Sequence, residues 1–236
     1  SKIVFYFLAY TFPMDTANNP KILLAEKCAR ELKKILMNTK HVSREASKIS
    51  TDVEKKMIEI KYSYLDVESM GEMLQSLRES MHKLLDSLGG KEWAKKAKKE
   101  GIGEVKIAKI RFCMNILYNL ESRLRLPDDP AYAVDIRIGK VESVWKHPNG
   151  EKLKVCNVNV GRLITVITND LSVREGEKIG VALLPPQDIR GIVSEGMFIG
   201  SGDGVTRKEG EIGNIPQLTT EEINAVRKEV LRYIRD

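Results

Sequence analysis

Leu126-Pro127-Asp128-Asp129-Pro130 decides how this chain is divided. Proline fixes its own φ, offers no backbone N–H and pushes the preceding residue out of the helical region, so a helix running into this stretch ends there. On the N-terminal side apolar residues recur every three or four positions, and on the C-terminal side they alternate in short runs. The pattern predicts an α+β multidomain chain. A mainly helical N-terminal domain occupies 1–126 and a linker 127–130; a five-stranded β-barrel follows over 131–213, then a C-terminal extension, 214–236, that carries a helix.

Working back from the linker, a helix is expected over about 104–124, after the break at Gly101-Ile102-Gly103. A short lysine-rich helix precedes it. Gly89-Gly90 closes a longer apolar seam made of Val42, Ala46, Ile49, Val53, Met57, Ile60, Tyr64, Val67, Met70, Leu74, Leu77, Met81, Leu84 and Leu88. The seam reads as one long helix, or as two if Asp66 and the capping box at Ser69-Met70-Gly71-Glu72 restart it; a strand around 58–64 competes. Earlier still, Ile22, Leu23, Cys28, Leu32, Ile35 and Leu36 mark an amphipathic helix, and residues 3–9 read as a buried strand. Working forward, strands are expected at 134–144, 152–160, 163–168, 178–184 and 196–200, a spacing that fits a small closed barrel. The final helix is capped by Thr219 or Thr220, with Glu221 and Glu222 in its first turn and Ile223, Val226, Val230, Leu231 and Ile234 along one face.

The 236 residues are 42% apolar and 31% charged, as in ordinary folded chains. Cys28, Cys113 and Cys156 are odd in number and never spaced C-x-x-C, and His41, His82 and His147 are dispersed. No disulfide framework, metal site or cofactor is therefore expected, and a reducing, cytoplasmic setting fits. No segment approaches the roughly 18 apolar residues of a membrane helix. The formal charge of +6 is unevenly placed: residues 1–130 hold 24 Lys and Arg against 18 Asp and Glu, whereas 131–213 hold 11 of each and 214–236 four of each. Residues 91–111 alone hold eight basic and three acidic side chains.

Three motifs follow one another in the second half: Asp135-Ile136-Arg137-Ile138-Gly139-Lys140-Val141, His147-Pro148-Asn149-Gly150-Glu151-Lys152-Leu153, and Arg190-Gly191-Ile192-Val193-Ser194-Glu195-Gly196-Met197. Their order and spacing resemble the tRNA-binding OB-fold domain. That module is found in stand-alone bacterial tRNA-binding proteins, at the C-terminus of many methionyl-tRNA synthetases, in endothelial monocyte-activating polypeptide and near the start of the phenylalanyl-tRNA synthetase beta chain. The likeness covers about 131–213. It departs from the family where Val-Ser-Gly is usual, here Ile167-Thr168-Asn169, and where Leu-Lys-Pro is usual, here Leu184-Pro185-Pro186. The resemblance implies an OB-fold barrel with tRNA contacts at Arg137, Lys140, Lys146, His147, Lys152, Lys154, Asn169, Arg190, Ser194, Gly196 and Met197.

The residues also carry readings of their own. Gly139 inside the first strand fits a bulge. His147-Pro148-Asn149-Gly150 has hairpin-turn chemistry, with Asn-Gly tolerant of positive φ, so His147 serves either the turn or RNA. Ser194 can offer a hydroxyl to phosphate or ribose, and Met197 either packs on a base or opens the core of the last strand. Lys152 and Lys154 alternate onto one face of the second strand and can track a phosphate backbone.

A barrel without net charge binds nucleic acid weakly unless a second basic surface helps, because phosphate neutralisation dominates affinity. Lys95, Lys96, Lys98 and Lys99 read either as that auxiliary patch or as a solvated helix face. The chain shows no P-loop, dinucleotide fingerprint, catalytic triad ordering or synthetase signature. The expected function is therefore a non-catalytic tRNA-binding protein, recognising shape and backbone, with an aminoacyl-tRNA synthetase as a candidate partner. Two alternatives stay open: a subunit of a tRNA-processing or aminoacylating enzyme, and a generic single-stranded nucleic-acid binder. Stand-alone members are often homodimers, and the helical seam suits either a dimer interface or internal packing.

Overall fold

The computed structural model describes residues 13–40, 42–201 and 204–236. The strand expected at 3–9 lies outside them. Helix α1 (Pro20–Met37) starts where the Asn19 side chain accepts from the N–H groups of Lys21 and Ile22, with Pro20 in the first turn, where its missing N–H costs nothing. The apolar seam is two antiparallel helices, α2 (Arg44–Lys61), capped by the Ser43 hydroxyl, and α3 (Gly71–Leu88). Between them Tyr64 takes a φ of 54° and points outward, so it leaves the seam. Thr16 holds that break: its hydroxyl donates to Lys61 O at 2.8 Å and accepts from Tyr64 N at 3.0 Å. Neither the single long helix nor the strand at 58–64 forms.

The lysine-rich helix α4 (Trp93–Lys99) follows, and the helix expected over 104–124 is broken at Asn119 into α5 (Glu104–Tyr118) and α6 (Leu120–Leu124). Residues 126–130 are pinned at both ends. Lys21 Nζ donates to Leu126 O at 2.8 Å and Pro127 O at 2.9 Å, and Asp129 caps the following 3-10 turn while it pairs with Arg227.

The second half is a curled antiparallel sheet. Strands β1 (Ile136–Lys146), β2 (Lys154–Asn159), β3 (Leu163–Thr168) and β4 (Lys178–Ala182) are joined by small hairpins β5 (Gln187–Ile189) with β6 (Ile192–Ser194), and β8 (Gly200–Ser201) with β9 (Gly204–Val205). Strand β7 (Met197–Phe198) completes a five-stranded sheet of order β3-β2-β1-β4-β7. The expected closed barrel is thus an open half-barrel. Its two edges approach without forming a ladder, linked by Glu195 N donating to Thr165 O at 2.9 Å and Ile167 N donating to Ser194 Oγ at 3.2 Å.

The bulge in β1 falls between Val141 and Ser143, two residues beyond the glycine expected to make it. Gly139 is needed for a different reason. A Cβ there would lie 2.6 Å from Val158 Cγ1 and 2.9 Å from Val181 Cγ2, so strand curvature depends on the missing side chain. Gly139→Val is expected to lower stability by about 1–3 kcal/mol through overpacking, a shift readable in a denaturant titration.

Helix α7 (Thr220–Arg235) begins with a full capping box between Thr219 and Glu222 and returns to the helical half. Lys27 Nζ donates to Tyr233 O at 2.6 Å, and the Tyr233 hydroxyl donates to Glu31 at 2.7 Å. Val226 and Val230 join α1, α5 and the base of the sheet in one apolar core, while Val141, Val158, Val166, Ile179 and Phe198 form a second core inside the sheet.

Candidate nucleic-acid interface

Three connections meet at one end of the half-barrel: the turn at 147–150, the β5–β6 hairpin and the loop after β3. The first two are laced together. His147 Nε2 donates to Ile189 O at 2.9 Å and its Nδ1 accepts from Asn149 N at 3.0 Å, which requires the neutral Nε2-protonated ring. Asn149 Nδ2 donates to Arg190 O at 3.1 Å, and Arg190 Nη1 donates back to Asn149 O at 2.9 Å. The positive φ values belong to Arg190 at 56° and Gly191 at 95°, as a tight two-residue hairpin requires, and not to the Asn149-Gly150 pair.

Several residues expected to touch RNA have partners within the protein. His147 is 1% exposed and Ser194 4%, and both spend their polar atoms inside the protein, with Ser194 Oγ donating to Gly196 O at 3.1 Å. Lys154 opens β2, but Lys152 lies in the turn before it, so the two do not share a strand face. The Lys154 ammonium holds the loop after β3, donating to Leu171 O at 2.6 Å and Val173 O at 3.0 Å. Gly196 packs so closely on β4 that a Cβ would sit 2.7 Å from Ala182 O.

The residues left facing solvent form a rim. Asn169, Arg190, Lys146 and Lys152 are exposed, and Met197 is half-buried. Met197, Ile167 and Ile189 line two adjoining grooves of about 430 and 520 Å³, one walled by Asn169 and the β8–β9 hairpin, the other by Leu184, Pro185 and the end of α7. Arg137 and Lys140 project from β1 away from this rim, Arg137 donating to Gly213 O at 3.1 Å and Lys140 lying 3.6 Å from Glu142. Lys95, Lys96, Lys98 and Lys99 are all exposed on α4, with Lys95 paired to Glu92 and Lys98 to Glu104.

Two contributors were not singled out from sequence. Asn149 closes the lacing from within the quoted turn motif. Asp170 anchors the hairpin wall, accepting from Ser172 N at 2.8 Å and Val205 N at 3.0 Å. The Ser172 side chain foremost, and then these two backbone bonds, hold its carboxyl at about 2. An ordinary Asp titrates near 4, so the stabilisation is fully present above about pH 4 and is lost as pH falls toward 2. The β8–β9 hairpin is expected to loosen across that window in amide hydrogen exchange, and in an Asp170→Asn variant to be loose already at neutral pH.

Two family models match the chain. Residues 14–127 match one described as "Alpha helical domain", and residues 136–221 match one described as "Putative tRNA binding domain". Residues 136–221 belong to the tRNA-binding domain family. This tRNA-binding domain contains all three sequence motifs except Asp135, the first residue of the first one. Similar chains include the phenylalanine–tRNA ligase beta subunit of Moorella thermoacetica, 38% identical over 70 residues, and the methionine–tRNA ligase of Thermococcus onnurineus, 30% identical over 129 residues. The matches take in 25% and 51% of this chain but only 9% and 15% of those enzymes. A third, "Putative tRNA-binding protein YtpR" of Bacillus subtilis, is 37% identical over 72 residues, 26% of this chain and 36% of its own length. The chain therefore spans well under half of each of these relatives.

Among the described residues no group of three or more His, Cys, Asp or Glu side chains is placed to hold a metal ion, and no helix is long and apolar enough to cross a membrane. Cys28, Cys113 and Cys156 are buried free thiols, and burial pushes the Cys156 thiol up to about 11.

Proposed function

We propose that this protein binds tRNA without catalysing a reaction on it, acting as an accessory factor in aminoacylation or tRNA handling. The observation that carries the reading is the convergence of the second and third motifs on one rigid rim within the tRNA-binding domain. Rigid loops bearing exposed Asn169 and Arg190 beside apolar Met197 suit a folded RNA surface, because ordering them on binding costs little conformational entropy. The 131–213 unit is read as the element that recognises shape, and the 1–126 unit as the source of basic charge and of a surface for a synthetase partner.

The test is competition for the full chain among tRNA, a tRNA minihelix and unstructured RNA of equal length. Preference for tRNA supports the reading; equal affinity for all three makes the protein a generic single-strand binder. The exposed lysines of α4 enter as an auxiliary phosphate patch. Changing Lys95, Lys96, Lys98 and Lys99 together to Glu is expected to flatten the salt dependence of tRNA affinity, and an unchanged slope removes them from the interface. A homodimer in the cytoplasm remains part of the proposal, and light scattering reads the dimer directly.

A further inference from the structure

Where the helical half meets the sheet, two carboxylates lie beneath a group of arginines. Glu195, between the two groove-lining residues Ser194 and Gly196, has a side chain only 12% exposed; the same Oε1 atom meets Arg111 Nη1 of α5 at 3.0 Å and Arg162 Nη1 of the β2–β3 turn at 3.2 Å. Beside it Asp135, 13% exposed, meets Arg123 Nη2 at 2.9 Å and Arg137 Nη2 at 3.6 Å. The two groups adjoin. Arg137 donates to Gly213 O, Gly213 packs on Val160 and Gly161 next to Arg162, and Asp135 acts electrostatically on Arg162.

Four guanidinium groups against two carboxylates leave a local charge of +2. Arg123 is buried, so the excess appears at Arg111, Arg137 and Arg162, whose side chains are 34%, 36% and 41% exposed. Each guanidinium carries five N–H donors, more than its internal partners use. Carboxylates held underneath fix the arginines' positions in advance, and the planar fork suits phosphate oxygens.

We infer that Arg111, Arg137 and Arg162 form a preorganised site for RNA backbone phosphate, built jointly by the helical half and the tRNA-binding domain. This rests on the tRNA-binding reading and deepens it by assigning α5 a direct part in holding the RNA. It also accounts for a sheet without net charge serving as an RNA-binding unit, since Arg111 is supplied from outside it.

The test is tRNA affinity of the full chain across a salt series, for the natural sequence, for Arg111→Gln with Arg162→Gln, and for Arg111→Lys with Arg162→Lys. Loss of two phosphate contacts is expected to reduce the slope of log affinity against log salt by about 1.4–1.8 in the Gln pair. The Lys pair retains the ion pairs to Glu195 and so tests the site even if the Gln pair is unstable. It is expected to keep the slope but bind severalfold more weakly, through loss of the fork. Natural slope and affinity in both pairs would overturn the site while leaving tRNA binding intact; failure of the natural chain to bind tRNA would overturn the parent reading and this site with it.

Discussion

Replacing Arg123 with methionine is expected to lower stability by about 3–5 kcal/mol, the range for removing one partner of a buried ion pair. Arg123 is 2% exposed and donates to Asp135 Oδ1 at 2.9 Å, Ile116 O at 2.8 Å and Asn115 O at 3.2 Å. Burial by itself would raise the Asp135 carboxyl, but Arg123, Asn115 and Arg137 together hold it below the ordinary range. Without Arg123 the carboxylate keeps only Asn115 and the more distant Arg137. The sign follows: the pair's stabilisation is present above the ordinary carboxyl range and is lost as pH falls below it, so the gap between the natural chain and the variant narrows at low pH, where protonation removes the stranded charge. A second change, Asp135→Asn, is expected to recover part of the deficit by removing the stranded charge. Denaturant titrations of both variants measure this, and a loss under about 1 kcal/mol for Arg123→Met would contradict the placement of the pair.

The second large effect is expected at His147. Its ring joins the 147–150 turn to the β5–β6 hairpin, so His147→Ala removes the hydrogen bonds to Ile189 O and Asn149 N and opens a void. A cost of about 2–4 kcal/mol follows from the lost hydrogen bonds together with the lost packing of a ring that is 1% exposed. Affinity for tRNA is expected to fall as well, while its salt slope stays natural, because a frame and not a phosphate contact has been removed. A variant with natural stability and a reduced slope would instead make His147 a direct RNA contact.

Much of the fold was legible because long-period signals survive in a single sequence. The prolines at 127 and 130 end α6 at Leu124, β3 occupies 163–168 as its alternation suggests, and the Thr219–Glu222 capping box starts α7. What escaped is local. Tyr64 fits the apolar spacing but takes a left-handed backbone, and the hairpins near 187–194 and 200–205 are too short to carry a period. At the candidate interface the motifs did not give each residue's structural task. A buried histidine or serine that satisfies backbone groups has the same letter as one that meets RNA, and only burial separates them. Glu195 and Arg111 lie 84 positions apart and leave no spacing signal.

The most direct test is to photo-crosslink tRNA to the full chain and map the attached peptides. Crosslinks at the rim around Asn169, Arg190 and Met197 are expected, joined by α5 near Arg111. Crosslinks confined to α1–α3, with the rim unlabelled, would contradict the assignment of the converging motifs as the RNA-reading surface.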